Sequence, residues 1–152
     1  MLPKTHIILG AIFSLLIYFF LHLSLFSVIL IFLASFFIDF DHYLWYIYKK
    51  KSLNLKNAYN WFKKKREKWT KLSKKEREIY KRVYLVFHSV EFWIVLLALS
   101  FINKIFLFIL IGVLFHIIID YIEIIYTKEK LYSKFSLIYI YFKNKTKKDF
   151  YW

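Results

Sequence analysis

The chain has 152 residues, of which 60% are hydrophobic, and a formal net charge of +14 at pH 7. This hydrophobic fraction exceeds the roughly 45–50% of soluble domains and argues against a water-soluble globular fold. The lack of cysteine excludes disulfides and thiolate metal sites, so any metal must rely on histidine and carboxylate ligands. Because only two glycines and one proline interrupt the chain, we predict one all-α membrane domain.

The first apolar stretch, residues 7–48, contains no lysine or arginine. As a single helix it would be about 60 Å long, roughly twice the hydrocarbon thickness of a bilayer. We therefore predict two spans, about 5–22 and 25–47, joined by a turn at 22–24 in which Ser24 caps the second helix. No cleavage site of small residues follows the first apolar run, so we interpret that run as a retained span and not as a signal peptide.

The middle of the chain is basic, because residues 49–82 carry 15 Lys/Arg and three Glu. The sequence "SKKE" at 73–76 has the form of a capping box and predicts a helix that continues into a third span, about 84–102. A short turn leads to a fourth span, about 105–126, and then to a basic tail, 127–152. The predicted fold has four transmembrane helices with a basic cytoplasmic helical insertion between spans 2 and 3. The pattern leaves open whether residues 131–142 of the tail form an interfacial helix, a strand or part of a roof over the site.

The charge distribution predicts the orientation in the membrane. If both termini and residues 49–82 share one side, 23 of the 24 Lys/Arg lie there and only Lys104 lies opposite. The positive-inside rule places that side in the cytoplasm and the protein in the cell (inner) membrane. Apolar side chains alternate with lysines in the basic segment, which favours an interfacial helix that contacts anionic lipid headgroups. These side chains are Trp61, Phe62, Trp69 and Leu72. A cytosolic protein partner is a second option. Nucleic acid is less favoured, since basic loops beside spans are expected anyway.

The apolar segments hold five acidic residues and, within them or at their edges, all five histidines. Ionisable groups are costly in hydrocarbon and usually face a bundle interior. At 1.5 Å per residue, all but His22 lie within about 15 Å of the cytoplasmic surface. The sequence thus predicts one polar layer built by four helices. Its members are His6, Asp39, Asp41, His42, His88, Glu91, His116, Asp120 and Glu123.

Helical spacing favours convergence of these side chains. The expected stripes are Ser35–Asp39–His42, His88–Glu91 and His116–Asp120–Glu123. Asp41 does not share the phase of Asp39, so either the helix distorts there or Asp41 orients a ligand histidine from behind. Singly, each group has a plainer role in hydrogen bonding or surface ion pairs. Together, carboxylates without partners would repel one another, and a divalent cation would relieve that repulsion. Histidine and carboxylate ligands in a bundle core are typical of zinc and two-metal sites.

Four short motifs occur in a fixed order: "THIILG" at 5–10, "DFDH" at 39–42, "FHS" at 87–89 and "HIIIDY" at 116–121. Over residues 5–126 they resemble the membrane-bound metal-dependent hydrolases, the YdjM-like family of LexA-binding inner-membrane proteins. That family has a His near the start, then Pro-Asp-x-Asp-His, His-Arg-Gly-x-Thr-His-Ser and His-x-x-x-Asp. The positions that match are His6, Asp39, Asp41, His42, His88, Ser89, His116 and Asp120.

The chain departs from this pattern at three places. Ile38 replaces the proline, Phe87 replaces the threonine, and the His-Arg-Gly element is absent together with its histidine. The family is similar in turn to the all-helical zinc phospholipase C and P1-nuclease group, and this similarity implies phosphoester hydrolysis.

The leading hypothesis is an integral membrane metal-dependent hydrolase that acts on a phosphoester or lipid-like substrate at the cytoplasmic face. A water whose pKa the metal lowers would be the nucleophile, with Asp41 or Glu91 as base or orienting group. The predicted ligands of one or more Zn²⁺ are His6, Asp39, Asp41, His42, His88, His116 and Asp120. The alternative is a non-enzymatic membrane anchor with a structural polar cluster, whose basic segment binds a partner. Ion or proton transport ranks last, because the outer halves of the spans offer no continuous polar path.

Overall fold

The computed structural model describes residues 3–126 and 136–150, and these residues are mostly helical, as predicted. Parts of the predicted tail, 127–135 and 151–152, lie outside the described residues. The helices are α1 Pro3–Leu21, α2 Leu25–Phe37, α3 Phe40–Lys50, α4 Leu55–Lys71, α5 Lys74–Ile79, α6 Val90–Ser100, α7 Lys104–Tyr126 and α8 Leu137–Asn144. Two short strands, β1 Tyr80–Lys81 and β2 Lys148–Phe150, pair in parallel and were not predicted.

Three described segments are long and apolar enough to cross a membrane: α1, the segment Leu25–Lys50 that contains α2 and α3, and α7. Many of their leucine, isoleucine and phenylalanine side chains are exposed, and a continuous apolar surface of this kind suits lipid better than water. The predicted span 84–102 is helical only in α6, whose 11 residues extend about 16 Å and do not match the thickness of the hydrocarbon layer.

Two glycines set the close packing of the membrane helices. A Cβ atom added at Gly112 of α7 would lie 2.3 Å from the Ile31 carbonyl oxygen of α2, so the two backbones touch there. A Cβ atom at Gly10 of α1 would lie 2.1 Å from Ser35 Oγ, on α2. Small residues at such contacts let helices approach closely, which is the main source of helix association in lipid. The buried apolar core beside these contacts comprises Ile38, Leu96, Leu110, Val113 and Ile117.

The turn between α1 and α2 forms as the sequence indicates. His22 adopts the left-handed conformation, with φ of 47°, directly after the last residue of α1. Ser24 Oγ accepts a hydrogen bond of 3.3 Å from the Ser27 N–H, which confirms the predicted cap of α2.

The second predicted span is interrupted by a turn that no glycine or proline in the sequence marks. α2 ends at Phe37 and α3 begins at Phe40, so Ile38 and Asp39 form a turn. The Asp39 N–H donates to the Phe36 oxygen at 3.2 Å and the His42 N–H donates to the Asp39 oxygen at 3.1 Å, in the tighter i to i+3 pattern. The chain therefore changes its helical phase shortly before Asp41.

The prediction of a helix from Ser73 into the third span is wrong beyond its first turns. The capping box of Ser73 and Glu76 is present, but α5 ends at Ile79 and residues 82–89 are not helical. Contacts with the C-terminal segment replace the helical hydrogen bonds: Asn144 Oδ1 accepts the Arg82 N–H at 2.8 Å, and Asn144 Nδ2 donates to the Arg82 oxygen at 2.9 Å. Parallel pairing with β2 of the C-terminal segment likewise holds β1 in an extended conformation.

Candidate metal centre

Six of the predicted ligands come together at the end of the bundle where α1 begins and α7 ends. They form three overlapping groups, within each of which the donor atoms lie no more than 4.8 Å apart. The groups are His6–Asp39–His116, Asp39–His42–His88 and His88–His116–Asp120. Because the groups share members, they make one continuous cluster that could hold one metal ion or more.

Two aspartates and two histidines form the middle of the cluster. His88 Nε2 lies 3.7 Å from Asp39 Oδ1 and 3.7 Å from Asp120 Oδ2. His116 Nε2 lies 3.7 Å from Asp39 Oδ1 and 3.8 Å from Asp120 Oδ2. His42 Nε2 completes the set at 3.8 Å from Asp39 Oδ1. One oxygen of Asp39 is thus nearly equidistant from three imidazole nitrogens.

His116 has its protonation fixed by a backbone group. Its Nδ1 lies 2.8 Å from the Ser35 carbonyl oxygen, and a carbonyl oxygen can only accept a hydrogen bond. Nδ1 therefore carries the proton, and in a neutral ring Nε2 has a lone pair directed away from Ser35. The same contact orients the ring, which is fully buried. This is how a metal-binding histidine is usually held.

His88 is held in the same way by a carboxylate. Asp41 Oδ2 accepts hydrogen bonds from the Phe87 N–H at 3.1 Å and from His88 Nδ1 at 3.2 Å. His88 Nε2 is then the atom that faces Asp39 and Asp120. Asp41 itself, 7% exposed, belongs to none of the metal-binding groups formed by the described residues. Both explanations offered for the helical phase of Asp41 therefore hold. The helix is interrupted before Asp41, and Asp41 orients His88 through the ring nitrogen that faces away from the other ligands.

His6 joins the cluster from the first turns of α1. Its ring stacks on that of His116 with centroids 3.9 Å apart, and its Nε2 lies 3.3 Å from Asp120 Oδ1. Its side chain is fully buried. A residue near the start of the chain is therefore packed against residues near the end of α7.

Several polar atoms of the cluster are buried without a hydrogen-bond partner among the described residues. They are Nδ1 of His6, Nε2 of His88, Nε2 of His116 and Oδ2 of Asp39, and beside the cluster Oδ1 of Asp41. An unsatisfied buried polar group costs about 1–3 kcal/mol, so several in one place need an explanation. Protons shared between these groups would draw them to hydrogen-bond distances of about 2.7–3.2 Å. Two ligands of one tetrahedral zinc, each about 2.0–2.2 Å from it, lie roughly 3.3–3.6 Å apart. The distances of 3.7–3.8 Å from His88 and His116 Nε2 to the Asp39 and Asp120 oxygens are nearer to the distance between two ligands of one zinc ion.

Glu91, predicted as a candidate base, does not join the cluster. Its carboxylate accepts hydrogen bonds from the Ser136 hydroxyl at 2.8 Å and from the N–H groups of Leu137 and Ile138 at 3.2 Å each. Glu91 therefore caps the start of α8. Its predicted stripe with His88 does not exist, because α6 begins only at Val90, after the Ser89 N-cap.

Glu123 and His22 belong to none of the groups of donor atoms that the described residues form. Glu123 forms an ion pair with Arg66 of α4, a contact that no sequence pattern indicates, since Arg66 is one basic residue among many. His22 lies in the turn between α1 and α2.

Comparisons of this chain with protein-family models, with curated proteins and with solved structures found no match. The functional interpretation therefore rests on the geometry of the cluster, together with the motif resemblance.

Proposed function

We propose that this protein is an integral membrane metal-dependent hydrolase whose centre binds one or more Zn²⁺ ions. The observation that carries this proposal is the convergence of buried imidazole Nε2 atoms, two of them fixed as lone-pair donors, on the carboxylates of Asp39 and Asp120. Imidazole nitrogen and carboxylate oxygen are typical zinc ligands, and a cysteine-free chain offers no thiolate donor.

Each residue of the cluster has a role that follows from its contacts. His6, His42, His88 and His116 would supply nitrogen ligands, while Asp39 and Asp120 would supply oxygen and neutralise the ion. A bound zinc ion would supply Lewis acidity and would lower the pKa of a coordinated water towards neutrality. Asp41 would hold His88 in place. Since Asp41 Oδ1 receives no hydrogen bond from the described residues, it can also accept a proton.

The position of the basic helix supports an anionic substrate and a cytoplasm-facing site. α4 contacts the cluster through Phe62, whose ring centroid lies 5.6 Å from that of His42. The cluster and α4 therefore lie on the same side, which the positive-inside rule assigns to the cytoplasm of the cell membrane. We further propose that α6 is part of a fourth, shorter span and that both termini are cytoplasmic. The substrate would be a phosphoester or a lipid-like ester in the inner leaflet, next to anionic headgroups.

Metal analysis of detergent-purified protein tests the proposal. We expect the wild type to retain zinc through gel filtration, and we expect the Asp39→Ala/His116→Ala double variant to lose it. His22→Asn and Glu67→Gln are matched controls, because they remove a histidine and a carboxylate outside the cluster. Asn also tolerates the left-handed backbone of residue 22.

A wild type that binds no transition metal, or a double variant that binds as much as the wild type, would contradict the proposal. The zinc-loaded protein is then assayed with an activated phosphodiester, with the double variant as the blank. Zinc binding without any ester hydrolysis would favour the alternative, a non-enzymatic membrane anchor with a structural cluster.

A further inference from the structure

The basic helix α4 contacts one member of the candidate metal centre and a residue one helical turn from another member. Phe62 packs edge-on against His42, a member of the cluster. Arg66, one helical turn later, forms an ion pair with Glu123 of α7. Glu123 follows Asp120 by three residues and so lies on the same face of α7, about one turn above it. The Phe62–Arg66 face of α4 is therefore fixed above the metal ligands.

A second face of α4 fixes the helix to α3. The Trp61 ring packs against Tyr46, with centroids 5.7 Å apart, and Lys50 of α3 lies over the Trp61 ring, 5.9 Å from its centroid. These contacts explain how a helix with so many positive charges is held in place. They also leave the Phe62–Arg66 face in a defined position and not free to rotate.

Arg66 keeps most of its hydrogen-bonding capacity. A guanidinium group has five N–H donors in a planar fork, and within the described residues only its contact with the Glu123 carboxylate uses them. The side chain is 43% exposed, so an incoming group can reach it. A guanidinium fork matches the geometry of a phosphate group, which it can bind with two parallel hydrogen bonds.

The charge around Arg66 favours the same ligand. α4 contains seven Lys/Arg and one Glu, a net charge of +6 from 7 − 1. A surface with this excess attracts anions and raises their local concentration. By contrast, the cluster below has two carboxylates that a divalent ion would neutralise.

We infer that Arg66 recognises the phosphate group of the substrate at the mouth of the metal centre, and that Glu123 holds the guanidinium in position for it. This inference rests on the proposed function and adds to it the residue that selects a phosphate over a neutral group. The phosphate can belong to a lipid headgroup or to a free phosphoester, and both present the same oxygen atoms to Arg66.

Calorimetric titration of the zinc-loaded protein in neutral detergent tests the inference with two probes, inorganic phosphate and dihexanoyl phosphatidic acid. We expect Arg66→Gln to weaken phosphate binding about tenfold or more, and Arg66→Lys to weaken it less, because it keeps the charge and loses the fork. Lys64→Gln, two residues away on the exposed side of α4, makes the same change of charge and is expected to bind as the wild type does. Glu123→Gln breaks the ion pair but keeps the guanidinium, and we expect less than a threefold loss.

The outcomes separate this inference from the proposed function, because zinc content is measured on the same samples. Absence of zinc from the wild type overturns the proposed function and the inference with it. With zinc present, unchanged phosphate binding by Arg66→Gln overturns the inference alone, as does an equal loss in Lys64→Gln. An Arg66-dependent response to phosphatidic acid but not to inorganic phosphate assigns the site to a lipid headgroup. A response to both assigns it to phosphate in general.

Discussion

The glycine contacts and the candidate metal centre lie in the same helix bundle but hold together by different means. Around Gly10 and Gly112, continuous helices touch backbone to side chain or backbone to backbone. Around Asp39 and His88, the helices are interrupted, and hydrogen-bonded side chains make the contacts. This difference indicates that close packing at the glycines holds the helices together. The helices can therefore be interrupted in the polar layer, where the interruptions bring the candidate ligands together.

The strongest test of this comparison is Gly112→Ala. Its Cβ would meet the Ile31 carbonyl oxygen at 2.3 Å, and a backbone atom cannot rotate away. We expect a loss of about 3 kcal/mol in unfolding free energy, the upper end of the usual range for overpacking, measured by denaturation in mixed micelles. Gly10→Ala is the matched variant and should cost less, because it meets the Ser35 side chain first. Equal losses at the two positions would show that the backbone contact is not special.

The next largest effect is expected in the polar layer, from Asp41→Asn. The amide cannot serve as a charged acceptor for both the Phe87 N–H and His88 Nδ1. We expect zinc affinity to fall about 10–100-fold, as for other residues that orient metal ligands, while the melting temperature of the metal-free protein changes little. Competition with a fluorescent zinc chelator measures the affinity. An unchanged affinity would mean that the irregular segment 82–89 holds His88 without Asp41.

A smaller effect is expected where the C-terminal segment docks. Glu91→Gln removes the charge that accepts hydrogen bonds from Ser136 and from the N–H groups at the start of α8. We expect about 1 kcal/mol of local destabilisation, seen as faster amide exchange in α8, with zinc content unchanged. Zinc loss in this variant would instead place Glu91 in the polar layer to which the sequence assigned it.

The smallest effect concerns α4, which covers the polar layer. Burial, together with the charge of Lys49, lowers the pKa of Lys65 from 10.5 to about 8. Between these values the unfolded chain binds more protons than the folded chain, so the contribution of Lys65 to stability rises with pH. Lys65→Met should therefore be more stable than the wild type at pH 7, by on the order of 1 kcal/mol, and the gap should narrow by pH 10. If the difference in stability between the two proteins were the same at pH 7 and pH 10, the pKa of Lys65 would not be lowered, and its amino group would be in contact with water.

The parts of the site on continuous helices were predictable from spacing. His116 and Asp120 are four residues apart in α7, and they do lie on one face and share the cluster with His88. The depth of each ionisable residue, counted from the basic side, also brought His6 into the same layer. These inferences needed only the rise per residue and the cost of charge in hydrocarbon.

The parts at helix interruptions were not predictable, because no glycine or proline marks them. The turn at Ile38–Asp39 interrupts an otherwise apolar run, and extended residues follow Ile79 because distant residues pair with them. Glu91 looked equivalent to His88 only on the assumption that both belong to one helix. Long-range contacts, such as Arg66 with Glu123, leave no periodic signal in one sequence.

The stacking of His6 on His116 has a consequence for biosynthesis. The two residues are 110 positions apart, from 116 − 6. At about 5–20 residues per second, a ribosome makes the second about 5–20 s after the first. During that interval α1 can already be in the bilayer with a histidine that has no stacking partner. The centre is thus closed late, when α7 enters the membrane, and the nascent chain cannot hold the complete ligand set before its last long helix has been translated.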